Sequence, residues 1–211
     1  MRAILLTVFL WFAAAVPAAA KTLTIGIDQS MSNPLMLDEG VARIVGRNVG
    51  EQIAALQPGD WVHVRTFGER SAVNFQVEKI RITRSVRADK VADLVSRFIA
   101  SLPSRAEKGQ SSTNIIAFLE FGQFDCANGG RIFLLTDGIE SSAYIHERDL
   151  VAGKPLPAPE PNILAGCEVT MLGLGQSTNA ALPPQAIKAL RASWTAWMKA
   201  AGASFNAVID P

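Results

Sequence analysis

The residues best placed to do chemistry open with Asp28-Gln29-Ser30-Met31-Ser32, an acidic, hydroxyl-rich turn that follows the apolar run Leu23–Ile27. Asp28, Ser30 and Ser32 fall at i, i+2 and i+4, so an extended turn aims their side-chain oxygens in one direction. Hard oxygens with a single formal charge suit Mg²⁺, Mn²⁺ or Ca²⁺ better than zinc, which prefers nitrogen and sulfur. A divalent ion calls for more charge. A second acid, Asp137, stands in Asp137-Gly138 at the end of another apolar run, Arg131–Thr136. Between the two acids, Ser111-Ser112-Thr113-Asn114 offers a further hydroxyl where a loop meets an apolar helix. Capping and turns account for part of this: Ser32 and Ser112 suit helix N-caps and Asp137-Gly138 suits a plain turn. They do not call for an Asp-Ser-Ser pattern together with a second acid at another strand end.

The elements that must position these residues alternate along the chain. Leu23–Ile27, Trp61–Gly68, Arg131–Thr136, Cys167–Leu172 and Ser204–Ile209 read as strands, the first as a buried parallel one, because near-continuous aliphatic runs are what a two-sided sheet requires. Ala72–Ile82 alternates and reads as an antiparallel edge strand beside Trp61–Gly68. Helices are expected from about Leu37 to Leu56, ended by Pro58-Gly59-Asp60; from Ala88 to Leu102; from Thr113 to about Phe124; near Tyr144–Leu150; and from Pro184 to Gly202. Lys154–Pro161 is too proline-dense for helix or central strand and reads as a stiff loop. The expected fold is therefore α/β: a doubly wound, mostly parallel six-stranded sheet with helices on both faces and one antiparallel edge strand. In such sheets ligands bind beyond the strands' carboxyl ends, where Asp28 and Asp137 both fall.

The Asp-x-Ser-x-Ser turn, the later Thr and the strand-ending Asp-Gly together resemble the von Willebrand factor type A family and its metal-ion-dependent adhesion site. That resemblance covers nearly all of the chain after residue 20. It implies a metal held by Asp28, Ser30, Ser32, Thr113 and Asp137, with the sixth position filled by a carboxylate from a partner protein. Gln29 replaces a common Gly and Ser111-Ser112 stands where a Gly pair often occurs, but no ligand is lost. The family's strand order makes the Arg131 and Cys167 strands neighbours, so a Cys126–Cys167 disulfide is expected at the end of the sheet opposite the ion. Gln29, Met31, Asn33, Asn114, Glu140 and Ser141 are expected on the rim of the site, extended by Pro155–Pro161.

Residues 1–20 carry Arg2, an apolar stretch from Ala3 to Val16 and Ala18-Ala19-Ala20, the pattern of a secretory signal peptide. One domain, residues 21–211, is expected to remain, in the periplasm or outside the cell and free of the membrane once the leader is cut. Loss of Arg2 leaves 19 basic residues against 19 acidic. A balanced chain without a basic cluster argues against nucleic acid as the partner. The two cysteines fit an oxidising compartment.

Enzyme chemistries find less support. An aspartate-based phosphatase needs an acid two residues after its nucleophile, where Ser30 stands. A Ser-His-Asp hydrolase has only His63, in a strand, and His146, in a loop, to draw on, and no Gly-x-Ser-x-Gly elbow is present. Gly173-Leu174-Gly175 comes too late for a dinucleotide fingerprint. The expectation is a non-enzymatic module that captures an acidic side chain through Mg²⁺ or Mn²⁺. The alternatives are a metal-assisted phosphoryl or ester hydrolase, or a structural envelope subunit whose site is empty.

Overall fold

Side chains of opposite parity on each strand must reach opposite faces, and both faces here are apolar. The computed structural model describes residues 20–69, 79–105, 109–178 and 182–209. It contains a six-stranded sheet, with strands β1 (Thr22–Asp28), β2 (Trp61–Phe67), β3 (Ile80–Arg81), β4 (Arg131–Leu135), β5 (Glu168–Leu172) and β6 (Ser204–Val208) in the order β3-β2-β1-β4-β5-β6. All pairings are parallel except β2 with β3. The described residues form the α-helices α1 (Glu39–Ala54), α2 (Ala88–Ala100), α3 (Leu102–Arg105), α4 (Ile115–Phe121), α5 (Glu147–Val151) and α6 (Pro184–Ala200). The expected fold class is the observed one. The expected leader peptide and most of the stretch 72–82 expected as an edge strand lie outside the described residues, and β3 is what is described of that edge.

Strand parity splits the core in two. Leu23, Ile25, Ile27, Val62, Val64, Leu135 and Leu172 pack with Val45, Val49 and Ile53 of α1 and with Val91, Val95 and Ile99 of α2. Ile132, Leu134, Val169 and Met171 face the other way, onto Ile115, Ile116 and Leu119 of α4, Leu150 of α5, and Leu190, Trp194 and Met198 of α6. Gly26 opens space on this second face: a Cβ there would stand 2.8 Å from the Phe118 ring. Phe118 stacks obliquely on Phe67 at 4.6 Å, and the Arg65 guanidinium covers its ring at 4.9 Å.

Several helix boundaries shift for local reasons. Asn33, not Ser32, caps the short 3-10 turn Pro34–Met36, and Asp38 caps α1 by accepting from Gly40 and Val41 at 2.6 and 3.0 Å. The helix after Thr113 ends at Phe121, where Gly122 follows, and α5 starts at Glu147 rather than Tyr144. Cys126 and Cys167 form the expected disulfide, with Cα atoms 4.4 Å apart, at the amino ends of β4 and β5. Pro155–Pro161 leads away from the carboxyl end of the sheet. Asn162 and Leu164, just beyond it, donate to Ala200 and Ala201 at the C-terminus of α6. The proposed extension of the rim by this segment is thus corrected: it descends toward the cysteine end.

Candidate metal centre

The site starts from strand register. Ile27 pairs with Leu135, so the next residues along, Asp28 and Thr136, lie side by side, and their even parity points both toward the α4–α6 face. The Thr136 hydroxyl donates to Asp28 Oδ2 at 2.7 Å, and Ser30 N–H donates to Asp28 Oδ1 at 2.8 Å. The turn after β1 folds so that the Ser30 and Ser32 hydroxyls stand 3.2 Å apart. Three neighbours hold it there. Asn33 Nδ2 donates to the carbonyls of Asp28 and Leu135 at 2.9 and 3.0 Å, tying the ends of β1 and β4 together. Gln110 bonds the backbone on either side of Ser30 through Gln29 and Met31. Thr178, after β5, donates its amide to Ser32 and its hydroxyl to Met31.

The second acid is set by an equally tight turn. Asp137 Oδ1 accepts from Ile139 N–H at 2.9 Å, and the Asp137 carbonyl accepts from Gly175 N–H at 2.7 Å. Gly138 has φ +74, and a Cβ there would stand 2.5 Å from Leu174. Only glycine takes that conformation in that space. Its carbonyl accepts from Trp194 Nε1 at 2.7 Å, so α6 clamps the turn from below.

Thr113 enters from a third loop. Thr113 and Ser141 exchange two backbone hydrogen bonds, at 3.0 and 3.1 Å, which join the start of α4 to the strand-end loop that carries Asp137. Asn114 N–H and Nδ2 both bond Gly68 O at the end of β2. Thr113 is buried in this junction, as are Asp28, Ser30 and Asp137.

Electrostatics make the pair of acids unstable by themselves. Burial raises Asp28 to about 6, against the hydrogen bonds from Thr136 and Ser30 that favour its ionised form. Asp137 is pushed up to about 8, first by burial and then by the negative charge of Asp28, while the Ser32 hydroxyl and Ile139 N–H pull the other way. Asp137 Oδ2 is buried and, among the described residues, has no hydrogen-bond partner. A buried acceptor in that position costs about 1–3 kcal/mol, and more once charged. Among the described residues no three His, Cys, Asp or Glu side chains cluster to hold an ion unaided. A cation here would therefore use two carboxylates and neutral hydroxyls, and that donor set fits a hard divalent ion.

Two residues expected on the rim are not on it. Asn33 is buried as the staple between β1 and β4, because its amide satisfies two strand-end carbonyls. Glu140 is fully buried, because its Oε2 accepts from Ile115 and Ile116 N–H at 2.7 and 3.0 Å. Met31 is half exposed beside the turn, while Gln29, Asn114 and Ser141 are partly buried. Thr136 was not among the expected site residues, although Thr-Asp at a strand end, next to a strand ending in Asp28, carries the register that pairs them. His63 is packed in its strand and burial lowers it to about 4.

No family model matches the sequence, and no curated protein does. Among solved structures, two crystal forms of the pilus adhesin SpaC from Lactobacillus rhamnosus GG superpose with TM-scores of 0.52 and 0.50 at 13% and 14% identity. They cover 92% and 90% of this chain but only 29% and 28% of SpaC, so the chain spans less than a third of that protein's length. The SpRpn10 VWA domain aligns at 12% identity with a TM-score of 0.44, covering 90% of this chain and 88% of that domain. What this chain shares with SpaC is the fold, here a mostly parallel six-stranded sheet with one antiparallel edge strand.

Proposed function

We propose that the chain is an exported protein-binding module that holds Mg²⁺ or Mn²⁺ and uses it to capture an Asp or Glu side chain of a partner protein. Asp28, Ser30, Ser32, Thr113 and Asp137 would hold the ion. The observation that carries this reading is the buried Asp28–Asp137 pair: among the described residues Asp137 Oδ2 has no hydrogen-bond partner, while the Ser32 hydroxyl lies near enough to favour the ionised carboxylate. Two buried acids, one raised further by the charge of the other, need a proton or a cation, and the hydroxyl-rich surroundings favour a hard cation. The ion supplies an electrophilic point that attracts a carboxylate. Two protein charges roughly balance a doubly charged ion, and the hydroxyls add none, so a further anionic oxygen remains welcome.

The role proposed is binding rather than turnover. Neither histidine joins the two acids: His63 sits within β2, and His146 precedes α5. The Cys126–Cys167 disulfide supports export to an oxidising compartment. Among the described residues no helix is long and apolar enough to cross a membrane. SpaC is a pilus adhesin, and adhesion is here an inference for this chain.

The test is selection of peptides from a random displayed library on the immobilised chain in Mg²⁺, eluted with chelator. The reading expects enriched sequences to share an Asp or Glu, and enrichment to vanish on Asp28→Ala. Enrichment that survives chelator, or sequences without an acid, would overturn it.

A further inference from the structure

Glu140 is a buried acid that the proposed ion set does not use. It lies three residues after Asp137, and its Oε2 accepts from both Ile115 and Ile116 N–H, two and three residues after Thr113. Next to it, Ser141 exchanges two backbone bonds with Thr113. These links close a ring. The chain runs from Asp137 to Glu140, crosses by side chain to Ile115, and returns through Asn114 to Thr113. No other carboxylate among the described residues is bonded to the amides that open α4.

The ring matters because the proposed ligands come from three separate loops. Asp28, Ser30 and Ser32 share one turn, whereas Thr113 and Asp137 arrive at the site independently. A second-layer group that fastens one ligand loop to another fixes where the ligand oxygen stands before the ion arrives, and removing such a group typically weakens metal binding. Capping alone would need one acceptor at the start of α4, and an exposed Ser, Asp or Asn at the N-cap does that without a buried charge. Asn114 holds the N-cap place, but its side chain bonds Gly68 instead.

We propose that Glu140 is a positioning residue for the ion: its carboxylate bridges the Asp137 loop to the first turn of α4 and thereby sets the Thr113 hydroxyl in place. This inference rests on the reading of the site as a metal centre. Glu140→Asp shortens the reach to the helix amides by one methylene, Glu140→Gln keeps an acceptor oxygen at the same reach, and Glu140→Ala removes the bridge.

The experiment is calorimetric titration of Mg²⁺ into the folded mature chain, its Glu140 variants, Thr113→Ala and the Thr113→Ala/Glu140→Ala double variant. Wild type binds one ion. Glu140→Ala and Glu140→Asp weaken binding by about 10–100-fold, and Glu140→Gln restores it to within a few-fold. Because Glu140 acts through Thr113, the double variant binds no more weakly than Thr113→Ala alone. If Glu140→Ala does not fold, Glu140→Asp with Thr113→Ala/Glu140→Asp completes the same cycle. Unchanged affinity in folded Glu140→Asp and Glu140→Ala, or additive losses in the double variant, overturns the positioning role while leaving the metal reading intact. Absence of Mg²⁺ binding by wild type overturns both.

Discussion

Replacing Asp137 with Asn in metal-free protein should make the chain more stable at alkaline pH. Asp137 rises from 3.8 to about 8 in the folded state because it is buried beside Asp28. The folded state therefore holds a proton that the unfolded chain has already released. For a raised carboxyl the stability is complete below the unfolded value and is lost as pH climbs through the folded one. The slope is about 1.4 kcal/mol per pH unit for one bound proton, so the interval from pH 5 to 8 removes about 4 kcal/mol. At about 2–4 °C per kcal/mol for a chain of this size, the melting temperature falls by roughly 8–16 °C. Asn keeps an oxygen to accept from Ile139 N–H and cannot ionise. Asp28 and Glu140, also raised, add to the fall in both proteins, so the difference between wild type and Asp137→Asn reports Asp137 together with its coupling to Asp28. The assay is thermal unfolding followed by circular dichroism, in chelator, at intervals from pH 5 to 8. A wild-type melting temperature that is flat or rises with pH, or an Asp137→Asn variant that is less stable than wild type at pH 8, would refute the reasoning. Mg²⁺ at about a hundred times its dissociation constant should return about 2.7 kcal/mol to wild type at pH 8 and nothing to the variant.

Three further outcomes are expected. Gly26→Ala places a Cβ 2.8 Å from the Phe118 ring and should cost about 1–3 kcal/mol in urea unfolding. Asn33→Ala strands the carbonyls of Asp28 and Leu135 and should cost about 2–4 kcal/mol, measured the same way. Because it also frees the Ser30–Ser32 turn, it should slow-exchange protect fewer amides there, read by hydrogen exchange. Reducing Cys126–Cys167 opens a cross-link spanning 41 residues and should cost about 2–5 kcal/mol while leaving Mg²⁺ affinity unchanged, since the bond lies at the opposite end of the sheet.

Strand and helix placement were legible because they rest on repetition. The aliphatic parity of Leu23, Ile25 and Ile27, or of Ile132 and Leu134, repeats over several residues and admits one burial on each face. The acids at strand ends were legible for the same reason, since a strand that ends fixes where the next polar residue falls. What the pattern did not carry were single side chains whose partners lie far along the chain. Asn33 looks like a polar loop residue until β4 brings the Leu135 carbonyl to it, 102 residues away. Glu140 looks like a surface acid until the amides of Ile115 and Ile116, 25 and 24 residues earlier, turn toward it. Likewise Thr136 bonds Asp28 only because the parallel register sets them abreast. Each is a long-range satisfaction of a buried polar group, and hydrophobic periodicity says nothing about those. The Pro155–Pro161 segment was read correctly as irregular, but its direction depends on where α6 ends.

Loss of the Mn²⁺ electron paramagnetic resonance signal on adding the chain at pH 7.5 tests the metal centre most directly. The account predicts one bound ion per chain, displaced by Mg²⁺, absent from Asp28→Ala and Asp137→Asn, and weakened in Ser30→Ala, Ser32→Ala and Thr113→Ala. A free-ion signal undiminished by wild-type protein, or binding that survives Asp28→Ala and Asp137→Asn unchanged, would contradict it.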